Sequence, residues 1–296
     1  MQEEVTPERK QNAFKFEMSQ PTDDPELKRR SSANQSFQEL ADPLLWRAFC
    51  SELLGTTILV LYCIGANEND YREMPNTPVH RILNSGFIVA VIVQTFQHVS
   101  GAHVNQALSL GFFLVGQISW IRFCVYMVAQ TLGSLLAGGI ARVITPSTMY
   151  AHFGTLTPQR GVAAWQACMA ELIMSFTLTL SVLAVVDKNR NDISGSVPLH
   201  CGLIVSINMF FAYNISGGSM NPARVFGPCL VHGVWDSHWI YWVGPFVGSA
   251  LAAPLYEKFF SVKAGERISN IRYCRCRKAT DNEITVDGNE RAGTRL

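Results

Sequence analysis

SGAHVNQALSLG at residues 100–111 has a counterpart in SGGSMNPARVFG at residues 216–227, 116 positions later. Both stretches follow a long apolar run, open with Ser-Gly and reach an Asn. Each then continues as a short apolar segment, NQALSLGFFLVG at 105–116 and NPARVFGPCLV at 221–231. A membrane helix needs about 20 apolar residues, so neither segment can cross a bilayer. Asn is a good helix N-cap. The two segments therefore read as half-helices that enter a membrane and return. Such ends are tolerable only where protein or a wet cavity surrounds them.

Working outward, six longer apolar runs fall at about 46–66, 82–100, 120–144, 163–186, 199–215 and 238–260. Ser51-Glu52-Leu53 opens one half of the chain as Ala170-Glu171-Leu172 opens the other. Gly133-Ser-Leu-Leu-Ala137 is likewise echoed by Gly248-Ser-Ala-Leu-Ala252. Glu52 to Glu171 spans 119 positions, Asn105 to Asn221 116, and Gly133 to Gly248 115. Three landmarks in one order at nearly one offset make an internal repeat. Three spans per repeat is an odd number, so the second copy must lie inverted, with a shared site near the midplane. Gly133, Gly138, Gly139, Gly244 and Gly248 are candidates for close helix packing. The fold class expected is an all-α membrane protein, six transmembrane helices plus two re-entrant half-helices.

Charge placement agrees. Charged residues make up 16% of the 296, against about 25% in soluble domains. Of 24 Lys and Arg, seven lie within residues 1–47 and eight after Phe260. Residues 1–45 and 261–296 thus read as wet tails around a channel domain at 46–260, with repeats at about 46–144 and 163–260. Basic tails and an even span count put both termini in the cytoplasm, with the link at 187–192. Links 67–81 and 145–162 then lie outside. A polar start to about Leu40 gives no sign of a cleaved signal peptide. A net charge of +1 offers nothing to neutralise nucleic-acid phosphates. Six of the eight cysteines lie in or beside apolar runs, where a thiol acts as a small hydrophobe. Cys274 and Cys276 sit in the basic run RYCRCRK, and Arg29-Arg30-Ser31-Ser32 could be a basic-directed phosphorylation site. No cofactor loop is present, and His98, His103 and His200 lack metal-ligand spacing.

The chemistry gathers around the two Asn residues. Each side-chain amide can donate into a shared path while its oxygen caps a half-helix. Two helix N-termini meeting there bring two positive dipole ends together, which repel cations and protons. Arg224, three residues after Asn221, is costly in an apolar segment unless it faces a wet path. Glu52 and Glu171 are mid-span carboxylates, one per repeat. That placement suits a structural role better than an enzyme dyad.

SGGSMNPARVFGP followed by HWIYWVGPFVGS, with SELLGT and SGAHVN, resembles the aquaporin (major intrinsic protein) family over about residues 46–260. The resemblance implies a passive channel for water and small neutral solutes, not an enzyme. It also implies a homotetramer in lipid, placed in the plasma membrane. Its pore motifs fall on Asn105, Gln106, Ala107 and on Asn221, Pro222, Ala223. Carbonyls of Gly101, Ala102, His103, Gly217, Gly218 and Ser219 would line the path, with Glu52 and Glu171 buried beneath the two loops.

Two departures stand out. Gln106 occupies the place of a proline that suits the first helical turn. Counting from the two Asn anchors, the family's selectivity filter falls on Ser85, Met209, Gly218 and Arg224. Water-selective members carry an aromatic ring at the first of these and a histidine at the second. Their loss implies a wider constriction passing glycerol or urea beside water. Val225, where older glycerol channels have Asp, keeps the chain nearer the water-channel branch, similar to insect glycerol-conducting relatives. The alternatives are a strict water channel and an ion-conducting or junctional protein on the same frame.

Overall fold

A computed structural model describes residues 38–67, 77–146 and 153–265. The described residues before Trp46 and those from Trp46 onward fall in two units, and the channel elements lie in the second from Trp46 onward. In chain order they are α1 (Pro43–Asn67), α2 (Pro78–Ser100), α3 (Gln106–Leu114), α4 (Trp120–Ile144), α5 (Ala164–Val185), α6 (Val197–Ser216), α7 (Pro222–His232) and α8 (Ile240–Leu255), with a π-helical turn, Tyr256–Phe260. Helices α1, α2, α4, α5 and α6 are long and apolar enough to cross a membrane. The 16-residue α8 is extended by the π turn, and α3 and α7 are the two half-helices. Six spans and two half-helices is the architecture expected. RYCRCRK, Arg29–Ser32 and much of the links at 67–81 and 145–162 lie outside the described residues.

Local sequence sets the ends of the spans. Thr77 caps α2 by accepting from the His80 amide, with a proline in the first turn, and Ser196 caps α6 through Leu199 in the same way. Pro is favoured there because its missing N–H would have no partner anyway. Both helices stop at a glycine in the left-handed region, Gly101 at φ 87° and Gly217 at φ 85°. Only glycine adopts that conformation without strain. The chain then turns back toward the half-helix that follows.

Packing repeats with the sequence. A Cβ on Gly133 would strike the Leu53 carbonyl of α1, and one on Gly248 the Leu172 carbonyl of α5. These are the same contact in the two halves. Gly138 and Gly244 also meet neighbouring chain, but Gly139 faces open space and contributes no close packing. Helices α2 and α6 cross at Gly86 and Gly202, where a Cβ on Gly86 would stand 2.7 Å from the Gly202 carbonyl oxygen. On the outward faces, Leu54, Phe87, Leu132, Ile173, Phe210 and Leu251 are exposed, as suits surfaces solvated by hydrocarbon tails.

Candidate functional site

The half-helices are held by a set of hydrogen bonds that occurs twice. Asn105 Oδ1 accepts from the amides of Ala107 (2.9 Å) and Leu108 (3.3 Å). Asn221 Oδ1 accepts from Ala223 (3.1 Å) and Arg224 (3.4 Å). Each Asn also reaches across to the other half. Asn105 Nδ2 donates to the Met220 carbonyl at 2.9 Å, and Asn221 Nδ2 donates to the Val104 carbonyl at 2.7 Å. One amide hydrogen of each Asn is therefore used in bracing, leaving the other for the channel. Sequence reasoning had assigned the whole amide to the channel.

Beneath each loop lies its carboxylate. Glu52 accepts from the His103 amide (2.9 Å), the Val104 amide (2.7 Å) and the Ser100 hydroxyl (2.6 Å). Glu171 accepts from the Ser219 amide (2.9 Å), the Met220 amide (2.7 Å) and the Ser216 hydroxyl (2.6 Å). Both are completely buried, and burial without such donors would be very costly. Two tyrosines complete the pattern. Tyr126 donates to the Ser100 carbonyl and Tyr241 to the Ser216 carbonyl, each at 2.7 Å. Sequence reasoning missed them, although their offset matches that of Gly133 and Gly248.

The halves differ where the chemistry does. Gln130 donates to Glu52 at 2.9 Å and to Ser109 at 3.1 Å, and Ser109 in turn meets His103 Nδ1 at 3.1 Å. At position 219, the counterpart of His103, the Ser219 hydroxyl instead donates to the Asn221 carbonyl at 2.9 Å. Arg224 occupies the position of Leu108 in the first repeat. Its Nη1 donates to the Gly154 carbonyl at 2.6 Å, and the residue is buried at 7% exposure. That partner is a carbonyl rather than an acid, so the charge remains uncompensated by this contact.

A cavity of about 580 Å³ runs between the two repeats. Asn105, Asn221, Leu108 and Arg224 border it, as do Gly101, Ala102, His103 and Ser219. Ser85, Met209, Gly218 and Arg224 border it too. Met209 abuts Gly218, where an added Cβ would lie 3.0 Å from Met209 Cγ. The Ser85 hydroxyl donates to the Arg81 carbonyl at 2.9 Å and lies 3.9 Å from the Cys63 thiol. Gln97, His98 and Lys188 also border it, beyond Val93 along α2 and past the end of α5. Lys188 follows Asp187, which accepts from Asn189, the Tyr256 hydroxyl and the Val262 amide. Burial alone would raise the Asp187 carboxyl, but those hydrogen bonds outweigh it and hold it below the ordinary range.

Two residues of the expected motifs lie off the cavity wall. Gly217 does not border the cavity; it caps α6 and packs on Leu156. Gln106 does not border it either. It is 1% exposed, and its Nε2 donates away from the channel to Thr131 Oγ1 at 2.8 Å and the Met127 carbonyl at 3.3 Å. Among the described residues no His, Cys, Asp or Glu group has the geometry of a metal site.

Residues 39–256 match the family model for major intrinsic proteins. The chain belongs to that family. It is 37% identical to bovine Aquaporin-4 over 234 residues, covering 78% of this chain and 72% of the relative. Identity to rat Aquaporin-1 is 34% over 257 residues, covering 84% and 95%. Among solved structures it resembles the aquaglyceroporin from Plasmodium falciparum. The TM-score there is 0.66 at 25% identity, with 73% of this chain and 96% of that one covered. As a major intrinsic protein the chain is a multi-pass membrane channel and not an enzyme.

Proposed function

We propose that this major intrinsic protein passes water together with small neutral solutes such as glycerol and urea, and excludes protons and ions. The observation that supports this most directly is the cavity bordered by both Asn residues and by Ser85, Met209, Gly218 and Arg224. Water can accept from the remaining amide hydrogens of Asn105 and Asn221, while the paired half-helix N-termini repel cations. A serine and a methionine leave room that a ring and an imidazole would fill. On this reading both tails are cytoplasmic, the Arg224 end opens outside, and four copies assemble in the plasma membrane.

Expression in cells of low water permeability should raise osmotic swelling several-fold and admit labelled glycerol and urea. Swelling no faster than in control cells, with the protein present at the surface, would sink the reading.

Thiol reagents give a second measurement. Cys63 and Cys201 border the cavity, whereas Cys229 is buried away from it and Gly218 offers no thiol. The geometry directs attention to Cys63 and Cys201. A mercurial should slow swelling, and Cys63→Ser with Cys201→Ser should relieve the block while Cys229→Ser leaves it. Block persisting in the double variant would show that the wall is misassigned.

A further inference from the structure

The cavity is bordered along α2 by Ser85, Val89, Val93 and Gln97, and along α6 by Val197, Cys201, Val205 and Met209. Both stripes advance by four residues. Each step turns about 40° beyond a full helical turn, so such a stripe winds slowly around its helix and tracks a channel that the helix crosses obliquely. Continued one step past the filter, the α2 stripe reaches Arg81 and the α6 stripe reaches Tyr213. These two residues meet. Arg81 Nη1 donates to the Tyr213 hydroxyl at 2.7 Å.

The bridge therefore lies one turn beyond Ser85 and Met209 along both helices, past the last residues of either stripe that border the cavity. Arg81 Nε is buried without a partner, and among the described residues no carboxylate pairs with the guanidinium. A phenol hydroxyl orients a charge but does not cancel it. A partly buried, uncompensated guanidinium is expensive to keep unless it faces water or something that passes. It also stands one helical turn beyond the two positions where the filter lacks a ring and an imidazole.

We propose that Arg81, oriented by Tyr213, is a second cation-repelling and specificity-determining group at the Arg224 mouth. It rests on the channel reading above. Small cations approaching the widened filter meet this charge one turn before Arg224, while neutral solutes find a row of donors for their oxygens. Tyr213 is a positioning residue and acts through Arg81.

The test pairs osmotic water permeability with the current carried by methylammonium in the same cells, normalised to surface protein. Arg81→Gln should raise the current-to-water ratio about fivefold or more, because a partly buried unit charge one helical turn beyond the filter is removed. Arg81→Lys keeps the charge and should stay near the wild-type ratio. Tyr213→Phe frees the guanidinium and should give an intermediate rise. An unchanged ratio in Arg81→Gln overturns the proposal, as does an equal rise in Arg81→Gln and Arg81→Lys, which would mean packing alone. If Arg81→Gln fails to reach the surface, Tyr213→Phe decides, and its unchanged ratio overturns the proposal. A wild type that passes no water overturns the channel reading itself, and with it this assignment.

Discussion

In Arg224→Val, cation and proton permeability should rise by at least about tenfold while osmotic swelling persists. A charge 4 Å from the path at an effective dielectric constant near 20 is worth roughly 4 kcal/mol, several times what a tenfold change requires. Water around the site and the paired half-helix ends, which keep their own positive potential, account for the smaller figure expected. The fold should survive, because the guanidinium hydrogen-bonds the Gly154 carbonyl and reaches the buried Glu171 only through its field, while that carboxylate keeps its own donors from Ser216, Ser219 and Met220. Valine also fills the start of α7 without disturbing the Asn221 cap, which uses backbone amides. The measurement is proton and cation current against swelling in the same cells. If current stays at background in a variant that conducts water, Arg224 is not the sole barrier. Adding Arg81→Gln then separates the remaining charge from the half-helix dipoles.

The second large effect belongs to the filter walls. Ser85→Phe combined with Met209→His should cut glycerol and urea uptake about tenfold or more while water flow stays within about twofold, since a rigid ring discriminates by size where a flexible thioether does not. Each substitution alone leaves one wall open, so the singles need not add up to the double. Met209 already lies against Gly218, and a histidine there would put a donor beside the same backbone. Retained water flow serves as the control for folding. A wild type that excludes both solutes while passing water would show that the size argument is wrong. Gln106 could not then be the cause, because its side chain is turned into α4.

Much of this was legible in the sequence because the chain states it twice. The matched Asn motifs, the Glu pair and the Gly133–Gly248 pair gave the spans, the inversion and the half-helices. The positions assigned to Ser85, Met209, Gly218 and Arg224 came from the family resemblance, counted from the two Asn anchors. What stayed hidden depended on partners distant in sequence. The direction of Gln106 is decided by Thr131 and Met127 on another helix. The bracing of each Asn depends on a carbonyl in the opposite repeat. Arg81 read as an unexceptional link cation, because Tyr213 lies 132 residues away. Gly139 looks like Gly138 in a sequence, and only the placement of a neighbour distinguishes packing from open space.

Leu108 and Arg224 hold equivalent places in the two repeats, so the barrier is one-sided although the scaffold is not. Detailed balance forbids a passive conduit from pumping or rectifying a neutral solute at equal concentrations, whatever its asymmetry. Blockers are under no such restriction. On the proposed reading, a slender organic cation arriving from the His98 end passes Lys188 and then Leu108, and meets no guanidinium before the Asn pair. From the other end it is turned back at the entrance. Occlusion by such a molecule should therefore depend on the face of the membrane to which it is added, even though the flow it stops is the same in both directions.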